Sequence, residues 1–183
     1  MSETEATMLV ARSTTECHLY MVLHPCERCG EADFPWSRHD RGRDDTSVYE
    51  GECPSCRAPR RFAFALAPDP VPPPAYGGPE PSQIIDPGEF LAMGERAAQH
   101  AAVPPDASPY RRAGAREAAA DAVAAVEEVL KFLPPSAETV PEAAFTSAAG
   151  RELYAADPAR FHRDRLEAEL QAHRQALLAL SRG

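Results

Sequence analysis

The sequence is poor in several things. It holds one lysine (Lys131), one tryptophan (Trp36), ten glycines and no excess of positive charge, since 28 acidic residues stand against 19 basic ones for a net charge of -9. Nucleic-acid binding by bulk electrostatics needs a concentrated basic surface, so that class begins at a disadvantage. No apolar run approaches the roughly 18–20 residues that span a bilayer, and no basic stretch followed by an apolar core marks residues 1–16 as a signal peptide. The expectation is a cytoplasmic protein. Recognisable catalytic motifs are missing too: there is no G-x-S-x-G, no H-E-x-x-H and no P-loop, for Tyr76-Gly77-Gly78 lacks the Lys-Ser/Thr that would follow. The reading is therefore non-enzymatic.

What is plentiful is proline, 19 residues, and alanine, most of it after residue 90. The prolines divide the 183-residue chain. Residues 1–15 are polar and predict disorder. Residues 16–67 read as a sheet module: Cys17, Leu19, Met21 and Leu23 alternate as in a strand, as do Phe62, Phe64 and Leu66. Phe34–His39 and Ser47–Glu52 predict a hairpin whose tip is Asp40–Asp45. Residues 68–85 are a proline-rich linker or strap, because proline lacks the amide donor that helix and sheet interiors require. Residues 86–183 are helical, with Asp86-Pro87, Ser108-Pro109 and Asp157-Pro158 as cap-then-proline starts. Helices are predicted over 87–102, 109–133, 147–156 and 158–181, with an extra turn at 141–145. The second carries an apolar stripe of Ala119, Val123, Val126, Leu130 and Leu133, and the last one of Leu166, Leu170, His173, Leu177 and Leu180. The predicted class is α+β, a small antiparallel zinc-ribbon sheet followed by an alanine-rich helical unit.

The strongest chemical signal is a pair of C-x2-C turns, Cys26-Glu27-Arg28-Cys29 and Cys53-Pro54-Ser55-Cys56. Each turn lets two thiolates converge on one ion, and two such turns complete a tetrahedral sulfur shell, so Cys26, Cys29, Cys53 and Cys56 predict a structural Zn²⁺. Two rivals are weaker. A redox dithiol would need only one pair. An iron carrier of rubredoxin type is disfavoured by Arg57, which stands after the second turn in place of glycine. Cys17 reads as a small buried apolar residue, and His18, His24 and His39 as structural histidines near the turns, one of which could donate to a ligand sulfur.

Partner-binding candidates lie beside the cysteines. Trp36 is the aromatic candidate, and Arg57, Arg60 and Arg61, with Arg38, Arg41 and Arg43, form the basic clustering that a nucleic-acid reading would use. Asp40, Asp44, Asp45, Glu50 and Glu52 dilute it. Acidic faces around Glu127/Glu128 and Glu167/Glu169 are candidate docking patches for a basic protein.

At its two cysteine turns the sequence resembles the zinc-ribbon class over residues 16–67, a class that serves transcription, translation and protein docking. The stretch Ala144–Tyr154, followed by Asp157–Phe161, superficially resembles one helix pair of tetratricopeptide type, without the repeats that would make an array. As a whole the chain resembles small proteins of high-GC bacteria that join a CxxC ribbon to an alanine-rich helical tail. That resemblance implies an immunity-type partner of a toxin, acidic and non-catalytic. The functional expectation is a protein-binding module with a structural zinc; the alternative is a ribbon associated with nucleic acid or transcription.

Overall fold

The computed structural model describes residues 8–42, 45–68, 71–72, 75–104 and 106–182. The chain divides into two units, Met1–Ile84 and Ile85–Gly183. It is α+β, with its sheet N-terminal to most of its helices. Among the described residues no helix is long and apolar enough to cross a membrane.

The first unit opens on strand β1 (Leu9–Ala11), in a region expected to be disordered; residues 1–7 of that expectation lie outside the described residues. β1 pairs parallel with the last strand of the unit, so the sheet is mixed and not purely antiparallel as expected. Residues 16–23, read from their alternation as a strand, lie instead in helix α1 (Thr14–Leu23), which begins within the stretch expected to be disordered. Cys17 and Met21 are buried four residues apart on one helical face, while Leu19 and Leu23 are only half-buried. Ser13 caps the helix by accepting the Glu16 amide at 3.0 Å. Glu16, fully buried, returns one carboxylate oxygen to the Arg12 amide at 2.6 Å and the other to the Arg12 guanidinium.

Strands β2 (Trp36–Arg41) and β3 (Thr46–Glu52) form the expected hairpin, although Arg43 and Asp44 at its tip lie outside the described residues. β4 (Pro59–Leu66) pairs antiparallel with β3, giving the order β1-β4-β3-β2. One sheet face packs on α1 through Ala11, Cys17, Met21, Phe34, Tyr49 and Phe64. The proline-rich segment, of which residues 69, 70, 73 and 74 are not described, behaves further along as a strap. Ser13 Oγ donates to the Tyr76 carbonyl at 2.6 Å, and Arg12 donates to the Glu80 carbonyl at 2.5 Å.

The second unit begins with α2 (Pro87–Ala101), whose Asp86/Glu89 capping box is complete in both directions. Asp86 also accepts the Ser147 amide at 2.7 Å, so one carboxylate fixes the start of α2 and of α4 (Ala148–Ala156). α3 (Pro109–Leu130) lies between α2 and α5 (Arg163–Ser181) and makes contact with both. Facing two neighbours moves its buried stripe onto Ala115, Ala119, Ala122, Ala125, Val126 and Val129, leaving Val123 and Leu130 half-buried. A Cβ on Gly94 would meet that of Ala125 at 2.9 Å, which shows how closely small residues let α2 and α3 approach. The helix predicted over 158–181 starts late: residues 158–161 make a 3-10 turn that buries Phe161 against Phe145, and the Phe161 carbonyl accepts the Val140 amide at 3.1 Å.

Candidate metal centre and docking edge

The two cysteine turns arise from different elements. The first follows α1 through His24-Pro25, so it leaves a helix and not the strand expected there. Its Gly30 amide donates to the Cys26 carbonyl at 2.7 Å, and Gly30 takes φ +77°, the left-handed conformation that glycine adopts without cost. The second turn is the connection between β3 and β4. Its Arg57 amide donates to the Cys53 carbonyl at 3.0 Å, and Arg57 occupies the equivalent left-handed position at φ 59°. Arginine there meets the same local requirement at a backbone cost of about 1–2 kcal/mol.

The sheet and α1 bring both turns together. The four Sγ atoms of Cys26, Cys29, Cys53 and Cys56 lie within 4.8 Å of one another. Cys26 and Cys56 are 3.6 Å apart, and Cys29 and Cys53 are 3.5 Å apart. Tetrahedral sulfur around a zinc ion at about 2.3 Å requires edges of about 3.8 Å, so the donors fit such an ion in type, number and spacing. Cys53 and Cys26 are buried and Cys29 is exposed. The amide of Cys56, aided by that of Ser55, brings the Cys53 thiol down to about 7 against the opposing effect of desolvation. The Glu31 amide draws the Cys29 thiol down as well, but the thiols of Cys56, Cys53 and Cys26 outweigh it and push Cys29 up to about 12. Of these two thiols Cys53 ionises the more readily, and Cys29 gains the more from a cation beside it.

Hydrogen bonds outside the sulfur shell hold the turns in place. Ser55 donates to Glu31 across the two turns at 2.6 Å, the largest of the contacts that keep the Glu31 carboxyl below its ordinary range. Arg60, a candidate surface cation from sequence, is instead 9% exposed. Its guanidinium donates to the His24 carbonyl at 2.6 Å, to that of Asp33 at 3.1 Å and, weakly, to that of Met21 at 3.5 Å. It also lies over the rings of Phe34 and Phe62, 4.7 and 5.2 Å from their centroids. A cation in a strand reads as surface until the carbonyls at the end of α1 are placed beside it. The histidines engage other partners than sulfur: His24 contacts the Tyr20 carbonyl, His39 the Ser47 hydroxyl at 2.7 Å, and His18 stacks on Trp36. Cys17 is fully buried, and burial with the nearby Glu16 charge pushes its thiol up to about 12.

The remaining candidates are spread over the surface. Arg57 pairs with Glu52, Arg61 with Glu50, and Arg38 with Asp40 and Glu50. Glu127 pairs with Arg174, Glu128 with Lys131, Glu167 with Arg163 and Glu169 with His173, and Glu128 is buried. Trp36 is 41% exposed, between His18 and Tyr49. Trp36 opens β2, the edge strand, all six residues of which are exposed. The Gly42 amide bonds to Thr46, so by alternation Asp40 and Arg38 bond toward β3 while His39 and Arg41 turn amide and carbonyl to the open edge. The edge was invisible in the sequence because strand order depends on β1 pairing with β4.

The donor set and its spacing show four cysteines positioned to bind a metal ion. No protein-family model matches this chain, and no significant match was found among the curated proteins or the solved structures.

Proposed function

We propose that this is a non-enzymatic, cytoplasmic protein-binding module whose first unit is held by a structural zinc ion. The observation that carries the reading is the convergence of four thiols, all within 4.8 Å of one another. Cys26, Cys29, Cys53 and Cys56 would hold the ion, and four thiolates leave no open position for a water or substrate oxygen. The ion's contribution is then to folding: a sheet unit of this size buries a modest core, and the metal offsets that deficit. A reducing compartment keeps such thiols available for metal.

Protein docking is supported by the open edge of β2, where His39 and Arg41 offer backbone groups left unpaired among the described residues, next to the half-exposed Trp36. The immunity-type version draws on the net charge of -9. Glu127, Glu128 and Glu167 of its acidic patches are each paired with an arginine or lysine, so β2 is the better docking element for that version too. The nucleic-acid alternative is weakened by the inward Arg60 and by the acidic partners of Arg38, Arg57 and Arg61.

Metal analysis of the purified chain should give one zinc per chain, and Cys29→Ser or Cys53→Ser should release it and unfold the first unit; unchanged metal content and stability would refute the ligand set. Capture of partners from nuclease-treated lysate should retain a protein with wild type and lose it with His39→Pro, which removes an edge amide. Retention abolished by nuclease would favour the nucleic-acid reading.

A further inference from the structure

We propose that β2 is a self-pairing edge: two copies of the chain join β2 to β2, antiparallel, about a two-fold axis at His39, making one sheet continuous through both. The inference rests on the reading of β2 as a docking edge and names its occupant as a second copy.

Backbone alternation supplies the first argument. An antiparallel two-fold centred on a residue whose amide and carbonyl face outward lets that residue exchange both hydrogen bonds with its own copy. His39 faces outward, because the Gly42–Thr46 bond fixes the opposite set toward β3. All of Trp36–Arg41 is exposed, so no side chain has to be displaced from the core.

Charge supplies the second. With the axis at His39, Arg38 of each copy stands directly across from Asp40 of the other, twice over. Moving the axis one residue back places Arg38 against Arg38, and moving it one residue on places Asp40 against Asp40. Opposite charges directly across a strand pair stabilise it and like charges destabilise it, so the sequence Arg38-His39-Asp40 selects one register and penalises its neighbours. Arg38 and Asp40 share the outer face with Glu50, and their side chains remain 66% and 51% exposed even while paired at 2.7 Å within one chain. They are free to enlarge that pair into a four-charge cluster. Arg41 falls opposite Ser37, a neutral residue at the bulge between Trp36 and Arg38. A single six-residue strand pair is smaller than a standard interface, so the dimer should be weak, with a dissociation constant of roughly tens to hundreds of micromolar.

Sedimentation velocity of the full, zinc-loaded chain over roughly 10–500 µM should show a monomer–dimer equilibrium in that range. Asp40→Arg, which sets like charges across the axis, should weaken it about tenfold or more. The double variant Arg38→Asp with Asp40→Arg restores opposite charges in the same register and should recover dimerisation, and His39→Pro should yield a folded monomer by circular dichroism. A wild type that stays monomeric throughout, an Asp40→Arg chain that associates like wild type, or a charge swap without recovery would each overturn the proposal. If wild type is monomeric yet captures a nuclease-resistant protein that His39→Pro loses, self-pairing fails and the docking-edge reading stands. If neither occurs, both fail.

Discussion

Replacing Arg60 by alanine should be the most damaging substitution of a charged residue in the sheet. Two sound hydrogen bonds from the guanidinium, to His24 and Asp33, would be lost together with two ring contacts. A bond involving a charged group contributes about 1.5–3 kcal/mol, and a desolvated cation over a ring about 0.5–2 kcal/mol. Some of this returns as water reaches the freed carbonyls, which leaves a loss of about 3–5 kcal/mol. Arg57→Ala and Arg61→Ala remove exposed pairs and should stay within about 0.5 kcal/mol of wild type. Arg60→Met keeps the apolar stem and should fall between, because packing is retained while the carbonyls lose their donor. The assay is urea unfolding in excess zinc followed by fluorescence of Trp36, the single tryptophan of the chain, which reports on the first unit. With a slope of about 1.5 kcal/mol per molar urea, the midpoint should drop by about 2–3 M. An Arg60→Ala midpoint indistinguishable from that of Arg61→Ala would mean that the guanidinium is solvated and the clamp does not exist.

Arg57→Gly should raise stability by up to about 1 kcal/mol by relieving the left-handed strain, whereas Gly30→Ala, whose Cβ would meet nothing within 4 Å, should cost about 1–2 kcal/mol through backbone alone; thermal unfolding with zinc present measures both, and opposite signs would refute the equivalence of the turns. His18 is held below its ordinary value of 6.5 by burial first and by His39 second. A depressed value means that its contribution is present above pH 6.5 and is lost as pH falls through the folded value. Wild type should thus lose more stability than His18→Phe on acidification below that point, and parallel pH profiles would contradict the assignment. The Tyr49 hydroxyl is buried beside the Ser47 side chain, whose hydroxyl is already bonded to His39, so Tyr49→Phe should be neutral or stabilising by up to about 1 kcal/mol in the same unfolding assay; a clear loss would reveal a well-made Tyr49–Ser47 bond.

The cysteine cluster was legible because C-x2-C spacing is a local signal, and so were the helix starts, where Asp86-Pro87 and Ser108-Pro109 encode caps within four residues. α1 was misread because Cys17, Leu19, Met21 and Leu23 satisfy a period of two, while the pair that is buried, Cys17 and Met21, also satisfies a spacing of four. Ser13-x-x-Glu16 was the local sign of a helix start there. β1 escaped because three residues pairing parallel with a strand some fifty positions away leave no local trace. The role of Arg60 could not be read either: its partners are carbonyls, which every residue carries and no sequence distinguishes.

The strap of the first unit has a consequence for how that unit is wired. Ser13 and Arg12 hold the carbonyls of Tyr76 and Glu80 in bonds that span 63 and 68 positions. Everything between, helix α1, strands β2 to β4 and all four clustered thiols, lies inside a loop that polar side chains shut at its base, so the closure of this unit does not depend on the thiol cluster alone.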